Sequence, residues 1–212
     1  DQPSRSTPDV ILDEALLLFS ERGYSGVSMR DIAKAVGIKA PSIYKHFAGK
    51  DALFDALLVQ MQAAYMDYMN RSALPDEAGA AAVAYYKDIT EDALQQQARG
   101  LFLFLLKDKR YVLFRRMLTI EQSRDSAASD AYQALMIDAP LTFQTALFTR
   151  LIEEGAIVPS DPRMTALAFY APIWLLVARY DHQPDEEQQA LDDLAAHIHH
   201  FSDLYTKRSS KP

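Results

Sequence analysis

Hydrophobic residues recur at spacings of three and four along most of the chain, and no stretch alternates clearly between apolar and polar positions. This spacing places apolar side chains on one face of an α-helix, whereas a half-buried strand requires alternation. The pattern therefore predicts an all-α protein. In the second half of the chain, Pro140 and Pro172 are expected to kink or break their helices. Beyond residue 75, the predicted helices cover about residues 76–98, 100–107, 109–124, 128–154, 162–181 and 185–206.

The N-terminal quarter carries clear signals for the ends of short helices. The first helix is predicted to begin at an N-cap, Thr7, and to end at Gly23. Ser28 and Asp31 have the spacing of a capping box, in which each side chain accepts a backbone hydrogen bond at the start of a helix. Gly37 supplies a left-handed end about eight residues later. The sequence therefore predicts a short second helix between Ser28 and Gly37.

A third short helix and a long amphipathic helix follow. Pro41 fits the first turn of the third helix, where the missing N–H has no helical acceptor. The long helix is predicted over about 50–72, and Leu74 and Pro75 end it. This organisation predicts an N-terminal three-helix bundle over residues 1–50 and a larger helical domain over 51–212.

Charge is distributed unevenly along the 212 residues. Residues 22–50 contain six Lys or Arg and one Asp, a net charge of +5, which leaves −12 for the remainder of a chain whose net charge is −7. A local basic segment on an acidic body is typical of site-specific nucleic-acid binding. The absence of cysteine excludes disulfides and thiolate metal sites. The apolar run over 166–178 is too short to span a bilayer, so a cytoplasmic protein without a membrane partner is expected.

Two short helices meeting at a glycine turn have the organisation of a helix-turn-helix, with Ile32, Val36, Ile38 and Ile43 as a small shared core. The segment resembles the DNA-binding signature of the TetR family. One departure is Lys39, where that family often has Ser or Thr to cap the recognition helix. The matching positions are Phe19, Gly23, Ile32, Ala33, Gly37, Ile43, Tyr44, His46, Phe47, Lys50 and Leu53.

The resemblance implies a ligand-responsive transcriptional regulator, a repressor that binds a palindromic operator as a dimer and is released by a small-molecule effector. Hydroxyls and cations at helix starts suit phosphate contacts, whereas side chains early on a recognition helix can reach base edges. The candidates for phosphate contact are Ser28, Lys45, His46 and Lys50. The candidates for base contact are Lys39, Ala40, Ser42 and Tyr44, of which Tyr44 can also serve a phosphate.

In the C-terminal domain, the resemblance implies that the last two long helices, over 162–206, pair between two chains. The last helix has an apolar stripe at 3-4-3-4 spacing, which either faces a second copy or packs within its own chain. Its members are Leu191, Leu194, Ile198, Phe201 and Tyr205.

The resemblance also implies an effector cavity in this domain. Abundant aromatic residues suit either a core or a cavity for a largely apolar or aromatic effector. Glu121 or Arg99 is expected to set the ligand's charge. The candidate lining residues are Tyr65, Phe102, Met117, Glu121, Phe143 and Trp174.

The alternatives are an all-α enzyme, or a small-molecule carrier with a relic helix-turn-helix. The sequence contains no Gly-rich phosphate loop, nucleophile elbow or zinc-protease motif, so no enzyme activity and no cofactor are expected. His197, His199 and His200 invite a metal site, but histidines on a terminal helix are more often surface or interface groups, and no metal is expected.

Overall fold

The structure, a computed structural model, describes residues 6–75 and 77–206. These residues form helices and no strand, apart from one isolated bridge between Ile157 and Thr206, which confirms the all-α prediction. Within this part of the chain, no helix is long and apolar enough to cross a bilayer. The helices are α1 (Thr7–Arg22), α2 (Met29–Val36), α3 (Ala40–Ile43), α4 (Lys50–Arg71), α5 (Ala80–Lys87), α6 (Glu91–Lys107), α7 (Lys109–Glu121), α8 (Ser126–Tyr132), α9 (Ala139–Glu153), α10 (Pro162–Tyr180) and α11 (Glu187–Tyr205).

The chain divides into two compact units. The first contains residues up to 67 together with 109–134, and the second contains 68–108 together with the chain from 135 onward. Helix α7 therefore belongs with the N-terminal helices, although it follows them by almost forty residues. The functional boundary expected at residue 50 stays a prediction.

The first unit is organised around α1, which packs against both α2 and α7. Apolar side chains from five helices are fully buried in its core. Of the four residues predicted to join the two short helices, Ile32 and Ile43 are fully buried and Val36 and Ile38 are half-buried. The largest buried side chains are Ile11, Leu16, Phe19, Ile32, Ile43, Leu53, Leu57, Phe114, Met117 and Leu118.

The ends of the first two helices agree closely with the sequence signals. The capping box of Ser28 and Asp31 is present, and Gly37 has the left-handed φ of 77° that ends α2. The cap of α1 is Ser6 rather than Thr7, because the Ser6 hydroxyl accepts from the Asp9 amide at 3.4 Å. Helix α1 therefore starts one residue earlier than predicted.

The single helix predicted over 76–98 is wrong, because the chain breaks between α5 and α6. Thr90 caps α6 by accepting from the Ala93 amide at 3.2 Å, and two acidic residues follow it in the first turn. Negative charge in the first turn is stabilised by the helix dipole. This start signal determines the helix boundary, and the break expected at residue 99 lies inside α6.

Pro140 interrupts the helix predicted over 128–154. A π-helical segment, Gln133–Asp138, separates α8 from α9, and Pro140 occupies the first turn of α9, where its missing N–H costs no helical hydrogen bond. In the second unit, the Tyr170 hydroxyl donates to the Met136 carbonyl of the π-helical segment. Helix α10, in contrast, continues through Pro172.

The core of the second unit is formed by α5, α9, α10 and α11. Phe201 lies at its centre and contacts Phe148, Phe169 and Tyr205, with ring centroids 5.6, 4.9 and 4.6 Å away. Edge-to-face and offset ring pairs of this kind stabilise a fold by more than the burial of their apolar surface alone. This aromatic cluster fixes α11 against α9 and α10.

Helix α4 ends in a strained turn. Ala73 has a φ of 51°, the one positive φ among the described residues other than glycine. A left-handed alanine costs about 1 kcal/mol. The turn closes with a hydrogen bond from the Leu74 amide to the Met69 carbonyl at 3.0 Å. It directs the chain after α4 past the side of α6, where Ser72 and Leu74 line a groove.

Candidate DNA-binding surface and ligand groove

The turn between α2 and α3 has the geometry of a helix-turn-helix. The Ile38 amide donates to the Ala33 carbonyl at 2.9 Å and fixes the exit from α2. Helix α3 is short, and further turns carry the helical path to Phe47, whose amide donates to the Ile43 carbonyl at 3.0 Å. Lys39 stands at the N-cap of α3 without a side-chain capping bond. Its side chain is exposed.

The candidate base and phosphate contacts lie on or near this short helix. Tyr44 is 54% exposed, which is unusual for a large aromatic side chain that could have packed in the core. Lys39, Lys45 and His46 are also exposed, whereas Ala40 and Ser42 are half-buried. An exposed aromatic ring among cations is suited to a polyanion such as duplex DNA.

Ser28 is exposed but already serves the fold. Its hydroxyl accepts from the Asp31 amide at 3.2 Å, and its own amide donates to the Asp31 carboxylate at 2.9 Å. The hydrogen bonds from Ser28 lower the pKa of Asp31. Ser28 therefore orients the start of α2 from an exposed position.

Lys50 also has an intramolecular role that the sequence did not indicate. Its Nζ donates to the Tyr24 carbonyl at 2.8 Å and lies 4.4 Å from the centre of the Tyr24 ring. The Tyr24 hydroxyl donates to Asp51, and burial raises the Tyr24 pKa. These contacts hold the loop after α1 against the start of α4. A phosphate contact by Lys50 stays a prediction.

Glu121, predicted as an effector contact, lies in the first unit beside the loop between α1 and α2. Its side chain is 0% exposed, and its Oε2 accepts from the Ser25 hydroxyl at 2.8 Å. The carboxylate lies against Gly23, where an added Cβ would be only 2.0 Å from Glu121 Oε1. Gly23 also has φ 77° and ψ 157°, a conformation that is essentially restricted to glycine. The helix-stop glycine is thus also a packing site for a buried carboxylate.

The other predicted effector residues are divided between the units. Tyr65 and Met117 belong to the first unit with Glu121, and Met117 is fully buried. In the second unit, Phe102 is buried, Phe143 packs against the core, and Trp174 is half-buried beside Tyr170. Neither unit by itself brings the six residues together.

A groove of about 640 Å³ is present in the second unit at residues that sequence reasoning did not select as a site. It lies between the end of α4, α5 and the first half of α6. Its formation depends on the break at Thr90 and on the turn at Ala73, and neither was predicted. The lining residues are Tyr68, Ser72, Leu74, Tyr85, Thr90, Asp92, Ala93, Gln96, Gln97 and Gly100.

The apolar stripe of α11 is packed inside the chain. Leu191, Leu194, Ile198 and Phe201 are buried, and Tyr205 is half-buried against the same core. Intrachain packing, the alternative considered from the sequence, therefore occupies this face. Helix α10 instead exposes apolar residues at 4-3-4-3 spacing, with Met164 61% and Leu175 66% exposed. The full α10 stripe is Met164, Ala168, Ala171, Leu175 and Ala178.

Among the histidines of α11, His197 is half-buried and its Nε2 lies 2.8 Å from the Phe169 carbonyl. Desolvation lowers the His197 pKa. His199 pairs with Glu91 at 2.8 Å. Over the described residues, no group of three or more His, Asp or Glu side chains is arranged to hold a metal ion.

Comparison with known proteins identifies the helix-turn-helix. The family described as "Bacterial regulatory proteins, tetR family" matches residues 11–57, which cover α1 to the first third of α4. Residues 11–57 therefore form a TetR-type helix-turn-helix.

Curated transcriptional regulators match about 30% of the chain. The biofilm operon icaADBC negative transcriptional regulator IcaR of Staphylococcus aureus (strain Newman) is 44% identical over 62 residues, 29% of this chain and 31% of IcaR. IcaR of Staphylococcus epidermidis is 36% identical over 64 residues, 30% of this chain and 35% of the relative. The match therefore spans about a third of the length of these relatives.

Solved TetR-type structures match over almost the whole chain, and they show the shared fold. SmeT in complex with triclosan has a TM-score of 0.68 at 18% identity, covering 98% of this chain and 95% of SmeT. SmeT is the repressor of the Stenotrophomonas maltophilia efflux pump SmeDEF. NalD, a secondary repressor of the MexAB-OprM pump in Pseudomonas aeruginosa, has a TM-score of 0.62 at 22% identity, covering 95% of this chain and 97% of NalD.

The contact between Gly23 and Glu121 predicts a large cost for a small substitution. Gly23→Ala should lower the free energy of unfolding by about 3 kcal/mol, because the new methyl adds a steric overlap to the cost of a positive φ. Gly37→Ala is the control for a positive φ without a steric overlap: Gly37 has φ 77° with the left-handed ψ of 25°, and no atom beyond its chain neighbours lies within 4 Å of a Cβ there, so a loss of about 1 kcal/mol is expected. The excess cost at Gly23 combines the overlap with its ψ of 157°, which only glycine adopts readily. Urea denaturation measures both.

The same pair of substitutions in a Glu121→Ala background separates sterics from backbone strain. The excess cost of Gly23→Ala should shrink once the carboxylate is gone, because only the backbone strain remains. An equal cost in both backgrounds would show that the carboxylate is not what requires glycine at position 23.

Proposed function

We propose that this protein is a ligand-responsive repressor that binds operator DNA as a dimer and releases it when a small molecule binds. The observation that carries the proposal is the exposed set Lys39, Tyr44, Lys45 and His46 on a helix-turn-helix whose segment carries +5. IcaR is named as a negative regulator, SmeT and NalD as repressors, and SmeT is known in a complex with triclosan. Those properties of similar proteins support the same class of function here.

The roles of individual side chains follow from their reach. Lys45 and His46 follow α3 and are exposed, which suits contacts that position the protein on phosphates. Lys39, Ser42 and Tyr44 are suited to base edges in the major groove, and Ala40 can contact only a thymine methyl. Ser28 and Lys50 support the orientation of α2 and α4, and their contacts with DNA would be additional to that role.

A dimer is needed because one short recognition helix buries too little surface for tight operator binding. The α10 stripe is our proposed contact, since its 4-3-4-3 spacing lines one helix face for knobs-into-holes packing. Its alanines allow close approach of a second helix, and Met164 and Leu175 supply the apolar bulk. Ala196, His200 and Leu204 are exposed on α11 and can extend this face. The proposed dimer contact is therefore the exposed α10 stripe, and not the buried α11 stripe.

Release of DNA requires an effector that prefers one orientation of the recognition helices. Helices α4 and α7 connect the part of the chain that carries α2 and α3 to the rest of the protein. A differential affinity of a few kcal/mol is enough to empty most of an operator population.

Substitutions on α3 test DNA binding directly. On an operator selected from random duplexes, Tyr44→Ala should cost about 1–3 kcal/mol in affinity. Lys45→Ala should weaken all duplexes alike and reduce the slope of log K against log salt by about 1. Fluorescence anisotropy across a salt series measures both effects.

The control for these variants is Lys87→Ala, which removes an exposed lysine paired with Glu154 at 2.7 Å in the second unit. It should leave affinity and salt dependence unchanged. If Tyr44→Ala and Lys45→Ala bind as the unsubstituted protein does while remaining folded, α3 is not the recognition helix.

The α10 stripe makes a separate prediction about assembly. Leu175→Glu replaces a large apolar side chain of the exposed stripe with a carboxylate and should convert the dimer to a monomer in sedimentation velocity runs. Val59→Glu is the matched control, because Val59 is 64% exposed on α4, outside the stripe. A Leu175→Glu protein that sediments as a dimer would contradict the proposed face.

A further inference from the structure

The groove beside α6 has the volume of a small-molecule site and a lining that is about half polar. Its volume of about 640 Å³ falls within the range of ligand pockets, and it lies entirely within the second unit. We propose that it binds a neutral or cationic aromatic compound that carries a hydrogen-bond donor, such as a phenol or an aromatic amine. The proposal rests on the proposed function in one respect, since it assigns this ligand as the effector.

Gln97 supplies the polar contact. Its Nε2 donates to the Tyr86 hydroxyl, while its Oε1 is buried and has no hydrogen-bond partner among the described residues. A buried acceptor without a partner carries a desolvation penalty that a ligand donor would relieve. Gln97 lines the groove, so a turn of its amide would present Oε1 to a hydroxyl or N–H of a bound molecule.

Aromatic rings supply the apolar contact. Tyr68 stacks on Phe104 with ring centroids 4.6 Å apart and an interplanar angle of 24°, which fixes its ring in the groove wall. Tyr85 lies on the other side of the lining and is held by an edge-to-face contact with Tyr86 at 5.0 Å. Flat ligands gain binding free energy from stacking or edge contacts with such rings.

Gly100 allows Tyr68 to take this position. A Cβ at Gly100 would lie 2.9 Å from the Tyr68 hydroxyl, and no other atom lies within 4 Å of it. Alanine there would displace the end of one side chain and leave the backbone unaffected. Because alanine also favours a helix interior over glycine, Gly100→Ala should preserve or improve folding while it disturbs the groove.

Charge limits the class of ligand. Among the described residues that line the groove, Asp92 is the one charged side chain, and none is Lys, Arg or His. A carboxylate or phosphate on the ligand would find repulsion and no cation to pair with. Since the groove is open on one side, the ligand keeps part of its surface in water and its affinity should be modest.

Three probes of the same ring system test these points: 2-naphthol, naphthalene and 2-naphthoate, each titrated against the full chain in ligand-observed NMR. We expect 2-naphthol to bind about tenfold more tightly than naphthalene, because one hydrogen bond to a buried acceptor is gained. 2-Naphthoate should bind most weakly. Gln97→Met should remove the advantage of 2-naphthol, and Gly100→Ala should weaken both neutral probes without lowering the thermal midpoint.

Gln188→Met is the matched control, because Gln188 is exposed on α11 and bonds to Asp192 at 2.9 Å outside the groove. It should leave all three affinities unchanged. Equal binding of 2-naphthol and naphthalene, an unaffected Gln97→Met protein, or tight binding of 2-naphthoate would each overturn the assignment.

A second readout separates the site from the regulatory role. The same 2-naphthol titration against protein bound to its operator should release the DNA, and the Gln97→Met protein should resist release. Probe binding that depends on Gln97 but releases no DNA would support the site and contradict its role as the effector site. Loss of operator binding in the absence of any probe would instead concern the helix-turn-helix.

Discussion

A buried carboxylate joins helix α7 to the loop that leads into the DNA-binding helices. Glu121 is withdrawn from water, bonds to Ser25, and lies so close to Gly23 that only glycine fits there. Burying a carboxylate is costly unless its partners are fixed, so this contact strongly constrains the loop. The orientation of α2, and with it the position of α3, depends on where α7 holds that loop.

This constraint offers a simple physical basis for the proposed response to a ligand. The helix-turn-helix belongs to one compact unit with α7 and most of α4. A displacement of either helix would therefore change the orientation of α3. The proposed DNA-binding surface is built from exposed side chains such as Tyr44 and Lys45. Its geometry is set by the packed residues behind them, Gly23, Ile32 and Ile43.

The sequence predicted local features well and long-range ones poorly. Ser28, Asp31 and Gly37 act within a few residues of each other, so their spacing alone predicts the ends of α2. Glu121 and Ser25 are 96 residues apart, and no local pattern relates them. For the same reason the α11 stripe could not be assigned, because an apolar face has the same spacing whether it packs against its own chain or a second one. The groove depends on Thr90 and Ala73, whose local effects were weaker signals than the hydrophobic periodicity around them.

Hydroxyl-radical footprinting on a selected operator tests the central claim, a dimeric helix-turn-helix regulator, most directly. The account predicts two protected segments related by two-fold symmetry, with centres about one helical turn of DNA or a multiple of it apart. It also predicts that both segments lose protection together when α3 is altered. Protection that is uniform along unrelated duplexes, or a single protected segment without symmetry, would contradict the account.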